Sequence, residues 1–142
     1  MARGRAEGTD SFITWLSAIP KQELARLLPR MHVGMMILKN VRSFYYGTSP
    51  TKFFDYIAAG LPVLTNYPGW IAELIRESNC GLVVPPDDPR AFADAVVKMR
   101  DGGFDLAEMG RRARQLAESS FSRDTLGEQF VDGLEGARAR TQ

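Results

Sequence analysis

Lys52 stands where a positive charge is electrostatically out of place. Ser49-Pro50 reads as the opening of a helix, with Ser49 as N-cap and Pro50 at the first helical position. A helix start presents free N–H groups and a partial positive charge, so an acid is the usual resident there. A glutamate in place of Lys52 would complete a capping box; a lysine adds repulsion instead. An anion bound at that end removes the conflict, because the N–H groups and the ammonium then converge on it. A phosphate or pyrophosphate fits best. Thr51, Lys52 and Asp55 share one side of this helix, since positions three and four apart are neighbours. Asp55, one turn on, is an acceptor suited to the diol of a ribose. The competing reading is a solvated lysine and an aspartate that caps nothing.

The elements that must position these residues alternate along the chain. Residues 12–16 are a short apolar run that suits a buried strand. Ile19-Pro20-Lys21 opens a helix with Leu24, Leu27 and Leu28 on one face. Val33-Gly34-Met35-Met36-Ile37-Leu38 is continuously apolar, as in a strand buried on both faces of a parallel sheet. After a loop over residues 39–49, the helix carrying Lys52 places Phe54, Ile57, Ala58 and Leu61 toward the sheet and ends at Gly60. Residues 61–65 form a strand, Asn66-Tyr67-Pro68-Gly69 a turn, residues 71–77 a short helix and residues 81–84 another strand. Asp88-Pro89 caps a helix with the stripe Phe92, Ala95, Val96 and Met99. Leu106, Met109, Ala113, Leu116 and Ala117 mark the next helix, and Ser122 caps a last one bearing Leu126, Phe130 and Leu134. The alternation predicts an α/β fold, a partial Rossmann-like parallel sheet flanked by helices. About four strands can be counted, against the five or six of a doubly wound sheet, so one edge of the sheet lacks neighbours. The expected domain runs over residues 11–136, with polar tails at 1–10 and 137–142.

Composition removes several function classes. With 18 basic and 17 acidic residues, the net charge of +1 offers no footprint for nucleic acid. One cysteine, Cys80, and one histidine, His32, exclude an internal disulfide and any site built on several of either. No metal site built on cysteine or histidine is suggested, and no cofactor is expected. No Gly-X-Gly-X-X-Gly follows a strand, which disfavours a dinucleotide-dependent dehydrogenase. No run reaches the length of a membrane span, and a reducing cytoplasmic compartment is the simplest expectation.

The run Ser49-Pro50-Thr51-Lys52-Phe53-Phe54-Asp55-Tyr56-Ile57-Ala58-Ala59-Gly60-Leu61-Pro62-Val63-Leu64, followed by Asn66-Tyr67-Pro68-Gly69 and Glu73, resembles the donor-site region of family 4 glycosyltransferases. Gly81-Leu82-Val83-Val84-Pro85-Pro86-Asp87-Asp88-Pro89, Met109-Gly110-Arg111-Arg112-Ala113-Arg114 and Phe121-Ser122 continue the resemblance. It implies the C-terminal part of the donor domain of a GT-B enzyme, which has two Rossmann-like domains. It further implies transfer of a sugar, with retention of configuration, from a nucleoside diphosphate sugar to a glycan or lipid-linked acceptor. The donor is expected to be a UDP-sugar, and the Ser-Pro-Thr-Lys-Phe-Phe-Asp-Tyr version resembles enzymes of bacterial surface polysaccharide synthesis. Carried onto this sequence, Thr48, Ser49, Thr51 and Lys52 would hold the diphosphate and Asp55 the ribose.

Two departures qualify the match. Gly47 stands where the family has a first glutamate that touches the donor sugar. The acceptor domain, which carries the family's catalytic-site histidine, would lie N-terminal to this segment; His32 does not match that histidine. No catalytic residue is therefore assigned here, and this chain alone is expected to be inactive. A sugar-nucleotide epimerase shares the architecture, and a non-catalytic binding module is the alternative outside enzymes. Tyr45, Tyr46 and Tyr67 either line a sugar or acceptor pocket or cover a core edge; Glu73 either faces the donor cleft or answers a helix dipole. Cys80 is expected to pack as a small hydrophobe. Arg111, Arg112 and Arg114 read as a solvated helix face, the alternative being contact with anionic lipid at the inner membrane surface in the full enzyme. The unpaired sheet edge leads to the expectation of a homo-oligomer.

Overall fold

The computed structural model describes residues 8–140, so most of the expected N-terminal tail (residues 1–7) lies outside it, as do residues 141–142. Three strands, β1 (Gly34–Met36), β2 (Val63–Thr65) and β3 (Gly81–Val83), form a parallel sheet in the order β1-β2-β3. Met35 lies opposite Leu64, and Leu64 opposite Leu82. Helix α1 (Lys21–Leu27) precedes β1. Helix α2 (Thr51–Ala58) crosses from β1 to β2, and α3 (Trp70–Glu77) from β2 to β3. Then follow α4 (Pro89–Arg100), α5 (Leu106–Ser120) and α6 (Arg123–Ala139). This is the α/β arrangement expected, with helices on both sheet faces.

Both faces of the sheet are apolar, and each has its own core. On one side α2, α3 and α5 enclose Met36, Phe53, Ile57, Val63, Ile71, Ile75, Cys80 and Ala113. On the other, α4 brings Ala95 and Met99 against Leu64 and Val84. Gly110 lets α5 approach the turn after α2, since a Cβ there would fall inside contact distance of the Gly60 carbonyl oxygen. Thr65, the buried polar residue of β2, donates from Oγ1 to the Met36 carbonyl at 3.0 Å. Asn66 continues the β1–β2 ladder with its side chain, accepting from the Leu38 N–H (2.9 Å) and donating to its carbonyl (3.1 Å).

Three expectations are corrected. Residues 12–16 are not a strand: a short 3-10 turn spans Asp10–Phe12, and the chain runs on irregularly to α1. Phe12 (87%) and Trp15 (66%) remain exposed. Apolar character reports a tendency to be buried, whereas a strand also needs a ladder partner, and among the described residues none pairs with this run. Second, the helix rotation differs. Phe53 and Ile57 are the fully buried residues of α2, Phe54 is partly buried, and Ala58 is exposed. Third, Ser49 is not the N-cap. Pro50 has an extended ψ of 122°, so α2 starts one residue later than expected and has no side-chain cap. Asp88 and Ser122 do cap α4 and α6, accepting from the Ala91 and Thr125 N–H groups. Gly136, the expected end of the ordered domain, lies inside α6.

The β1 side of the sheet is incompletely covered. Met35 and Ile37 are exposed, and a groove of about 520 Å³ beside Met35 is lined by Met31, Val33, Val96 and Met99.

Candidate functional site

In a parallel sheet, ligands collect beyond the carboxyl ends of the strands. Here that rim is formed by the loop between β1 and α2, the turn between β2 and α3, and the start of α4. The loop is tied down at several points. Asn40 donates to Asp87 Oδ2 at 2.6 Å and accepts from the Tyr45 hydroxyl. Tyr45 packs edge-on against Tyr67 with ring centroids 5.2 Å apart, and the buried Tyr67 donates to the Val41 carbonyl at 3.3 Å. Gly69, at φ 102°, lets the start of α3 press on the loop: a Cβ there would fall inside contact distance of the Tyr45 carbonyl oxygen. Trp70 Nε1 donates to the Thr48 carbonyl at 3.0 Å. Finally, Tyr46 donates to Glu73 Oε1 at 2.9 Å, and this hydrogen bond, with the carboxylate's charge, raises the Tyr46 phenol above its ordinary range.

The expected site residues take the following places. Thr48 is half-buried, and its N–H donates to the Phe44 carbonyl at 3.0 Å, so that donor is already engaged. Ser49, Thr51 and Lys52 are exposed together at the start of α2. Since no side chain caps that helix, the Thr51 and Lys52 N–H groups have no intrahelical acceptor. With Pro50 as N-cap, Lys52 is the second helical residue, even nearer the positive end of the dipole than the sequence suggested. Asp55 is half-buried one turn on, with Lys21 Nζ 3.5 Å from its Oδ1. The structure thus groups Ser49, Thr51 and Lys52 at one helix end and gives Asp55 a cationic neighbour from α1.

Other candidates separate cleanly. Tyr45 and Tyr67 brace the loop, while the Tyr46 ring is 70% exposed. Cys80 packs in the core, where burial pushes its thiol up to about 11. His32 is exposed ahead of β1. Arg111 and Arg112 both pair with Glu108, and Arg114 pairs with Glu118 and donates to the Ala58 carbonyl at the end of α2. Among the described residues, no group of acids, histidines and cysteines could hold a metal ion, and no helix is long and apolar enough to cross a membrane. Sequence reasoning missed Lys21 and Trp70. The indole N–H of Trp70 and its place after a turn glycine were the available signal for a loop-fixing role; nothing local pointed Lys21 at Asp55.

The family model described as "Glycosyl transferases group 1" matches residues 2–101. An amylovoran biosynthesis glycosyltransferase of Erwinia amylovora, AmsK, is 24% identical over 82% of this chain and 28% of its own length. A GDP-mannose-dependent alpha-(1-6)-phosphatidylinositol monomannoside mannosyltransferase of Mycobacterium tuberculosis is 30% identical over 59% of this chain and 22% of its own. Spore coat protein SA of Bacillus subtilis is 26% identical over 60% of this chain and 23% of its own. The chain therefore spans about a quarter of the length of these relatives. No solved structure matches it significantly. The match of residues 2–101 covers the sheet, the loop and the uncapped helix start, and the chain belongs to the glycosyl transferases group 1 family.

Proposed function

We propose that this chain is the donor-binding part of a retaining glycosyltransferase that moves a sugar from a nucleoside diphosphate sugar to a glycan or lipid-linked acceptor in bacterial polysaccharide synthesis. The observation that carries the reading is the uncapped start of α2, where an exposed lysine adds to a helix end already rich in N–H donors. The diphosphate lies there, on the Thr51 and Lys52 N–H groups, the Lys52 ammonium and the hydroxyls of Ser49, Thr51 and Thr48. Asp55 accepts from the ribose hydroxyls. Family membership supports the reaction class. The names of the Erwinia and Mycobacterium relatives support a polysaccharide setting and a nucleotide-sugar donor respectively. In this reading the acceptor is bound by a separate domain, not by the residues described above.

The test is an amide-resolved NMR titration with UDP, GDP and inorganic phosphate. The amides of residues 49–52 are expected to move first, with UDP preferred to GDP. Lys52→Ala should weaken all three ligands by about tenfold, as for loss of one charge-assisted contact. Asp55→Ala should weaken the nucleotides and spare phosphate. Shifts confined to another part of the chain would overturn the assignment.

A further inference from the structure

From the contact between the β1–α2 loop and the first turn of α3, we infer that Tyr46 and Glu73 form the recognition surface for the hexopyranose of the donor. This rests on the diphosphate reading above and extends it to the sugar. Three independent ties hold this part of the loop in place: the Gly69–Tyr45 approach, the Trp70–Thr48 hydrogen bond and the Tyr46–Glu73 hydrogen bond. Beside it Tyr67 is buried and Tyr45 half-buried, their rings packed edge-on. Tyr46 does the opposite: its ring faces solvent while its hydroxyl is fixed to a carboxylate that is itself exposed.

The pair matches the chemistry of a pyranose. A hexose has an apolar C–H face and a rim of hydroxyl groups. The Tyr46 ring is a flat amphipathic surface for the first. Glu73 is an acceptor for the second: an ionised carboxylate offers about four lone-pair positions, and Tyr46 occupies one, on Oε1. Gly47, between Tyr46 and Thr48, leaves open space, with nothing within 4 Å of where a Cβ would stand. The pair is also close to the diphosphate site. The Cα atoms of residues 46 and 49 are three peptide units apart, at most about 11 Å, so one ligand can touch both. The Tyr46 hydroxyl acts as a positioning group, fixing the carboxylate so that its remaining oxygen faces the sugar.

The experiment compares Kd values for UDP and GDP with those for UDP-glucose, UDP-galactose and GDP-mannose, using the 142-residue chain. At least one sugar nucleotide should bind about tenfold more tightly than its own diphosphate, the gain expected from a hydrogen bond to a charged group. In Glu73→Gln and Tyr46→Phe that ratio should fall toward one. Both variants keep side-chain volume, and a circular dichroism melt confirms that they fold. Equal affinity of the wild-type chain for every sugar nucleotide and its diphosphate overturns the inference and leaves the diphosphate reading standing. A ratio that survives Glu73→Gln also overturns it. Absence of any nucleotide binding removes the diphosphate reading, and the sugar surface with it.

Discussion

Replacing Gly69 by alanine tests how rigidly the β1–α2 loop is seated. At φ 102° and ψ −165°, Gly69 occupies backbone space that is essentially reserved for glycine. An L-residue forced there costs about 1–3 kcal/mol. The new Cβ also meets the Tyr45 carbonyl group, which is backbone and cannot rotate away. Relief requires the loop to lift from α3, which breaks the Trp70–Thr48 hydrogen bond at about 1 kcal/mol net. The expected destabilisation is about 3 kcal/mol, a large part of the roughly 5–15 kcal/mol available to a domain. It corresponds to a fall in Tm of about 10 °C for a chain of this size. Two other glycines calibrate the effect. Gly60 has φ 70°, but its nearest foreign atom is 3.6 Å from the Cβ position, so Gly60→Ala carries only the left-handed backbone cost of about 1–2 kcal/mol. Gly47→Ala meets nothing and should stay within about 0.5 kcal/mol of wild type. Urea unfolding followed by far-ultraviolet circular dichroism measures all three. A Gly69→Ala penalty no larger than that of Gly60→Ala would refute the argument that loop and helix are locked by this contact.

Burial holds the Cys80 thiol neutral, from an ordinary value of 9.0 up to about 11. Its stabilising contribution is therefore full below pH 9 and lost as pH rises through 11, about 2–3 kcal/mol in all; urea midpoints that do not fall over that range would contradict it. At pH 8, iodoacetamide should label the native chain far more slowly than the unfolded one. The exposed Met35 and Ile37, with the Leu126, Phe130 and Leu134 stripe of α6, should drive formation of a homodimer or larger oligomer; sedimentation equilibrium showing a single 15.8 kDa species at micromolar concentration would rule this out. The isolated chain should transfer no sugar, because transfer needs donor and acceptor held in reacting geometry; turnover by a contaminant-free sample would refute this.

What could be read from the sequence was local. Asp88 before Pro89 and Ser122 before α6 announce helix starts through their own side chains, and both caps are present. Gly60 announces the end of α2 and adopts φ 70° there. The apolar run around Met36 marks a strand because every residue agrees with its neighbours. What could not be read was pairing at a distance. Phe12 and Trp15 are as apolar as any strand, yet no strand among the described residues pairs with them. The shift of the α2 N-cap from Ser49 to Pro50 turns on a single ψ angle, which propensity does not resolve. In the site, Lys52 was legible because its charge conflicts with its own helix. Tyr46–Glu73 and Lys21–Asp55 were not, because 27 residues separate the first pair and only the fold brings either together.

The Lys21–Asp55 pair bears on the proposed ribose contact, and the energetics favour coexistence over competition. Lys21 is 84% exposed in its side chain and lies 3.5 Å from Asp55 Oδ1, a long and solvated contact. Exposed ion pairs of this kind contribute about 0–1 kcal/mol and weaken with salt. A ribose diol needs only the lone pairs that Lys21 leaves, including all those on Oδ2. If the sugar required Oδ1 as well, the lysine could swing into solvent at a cost below that of one good hydrogen bond. Asp55 is the fifth residue of α2, beyond its first turn, and its cationic neighbour is Lys21 of α1. In the proposed reading, α2 thus presents the ammonium of Lys52 to an anion at its start and, one turn on, the carboxylate of Asp55 to hydroxyl groups. That division matches the chemical difference between a diphosphate and a ribose.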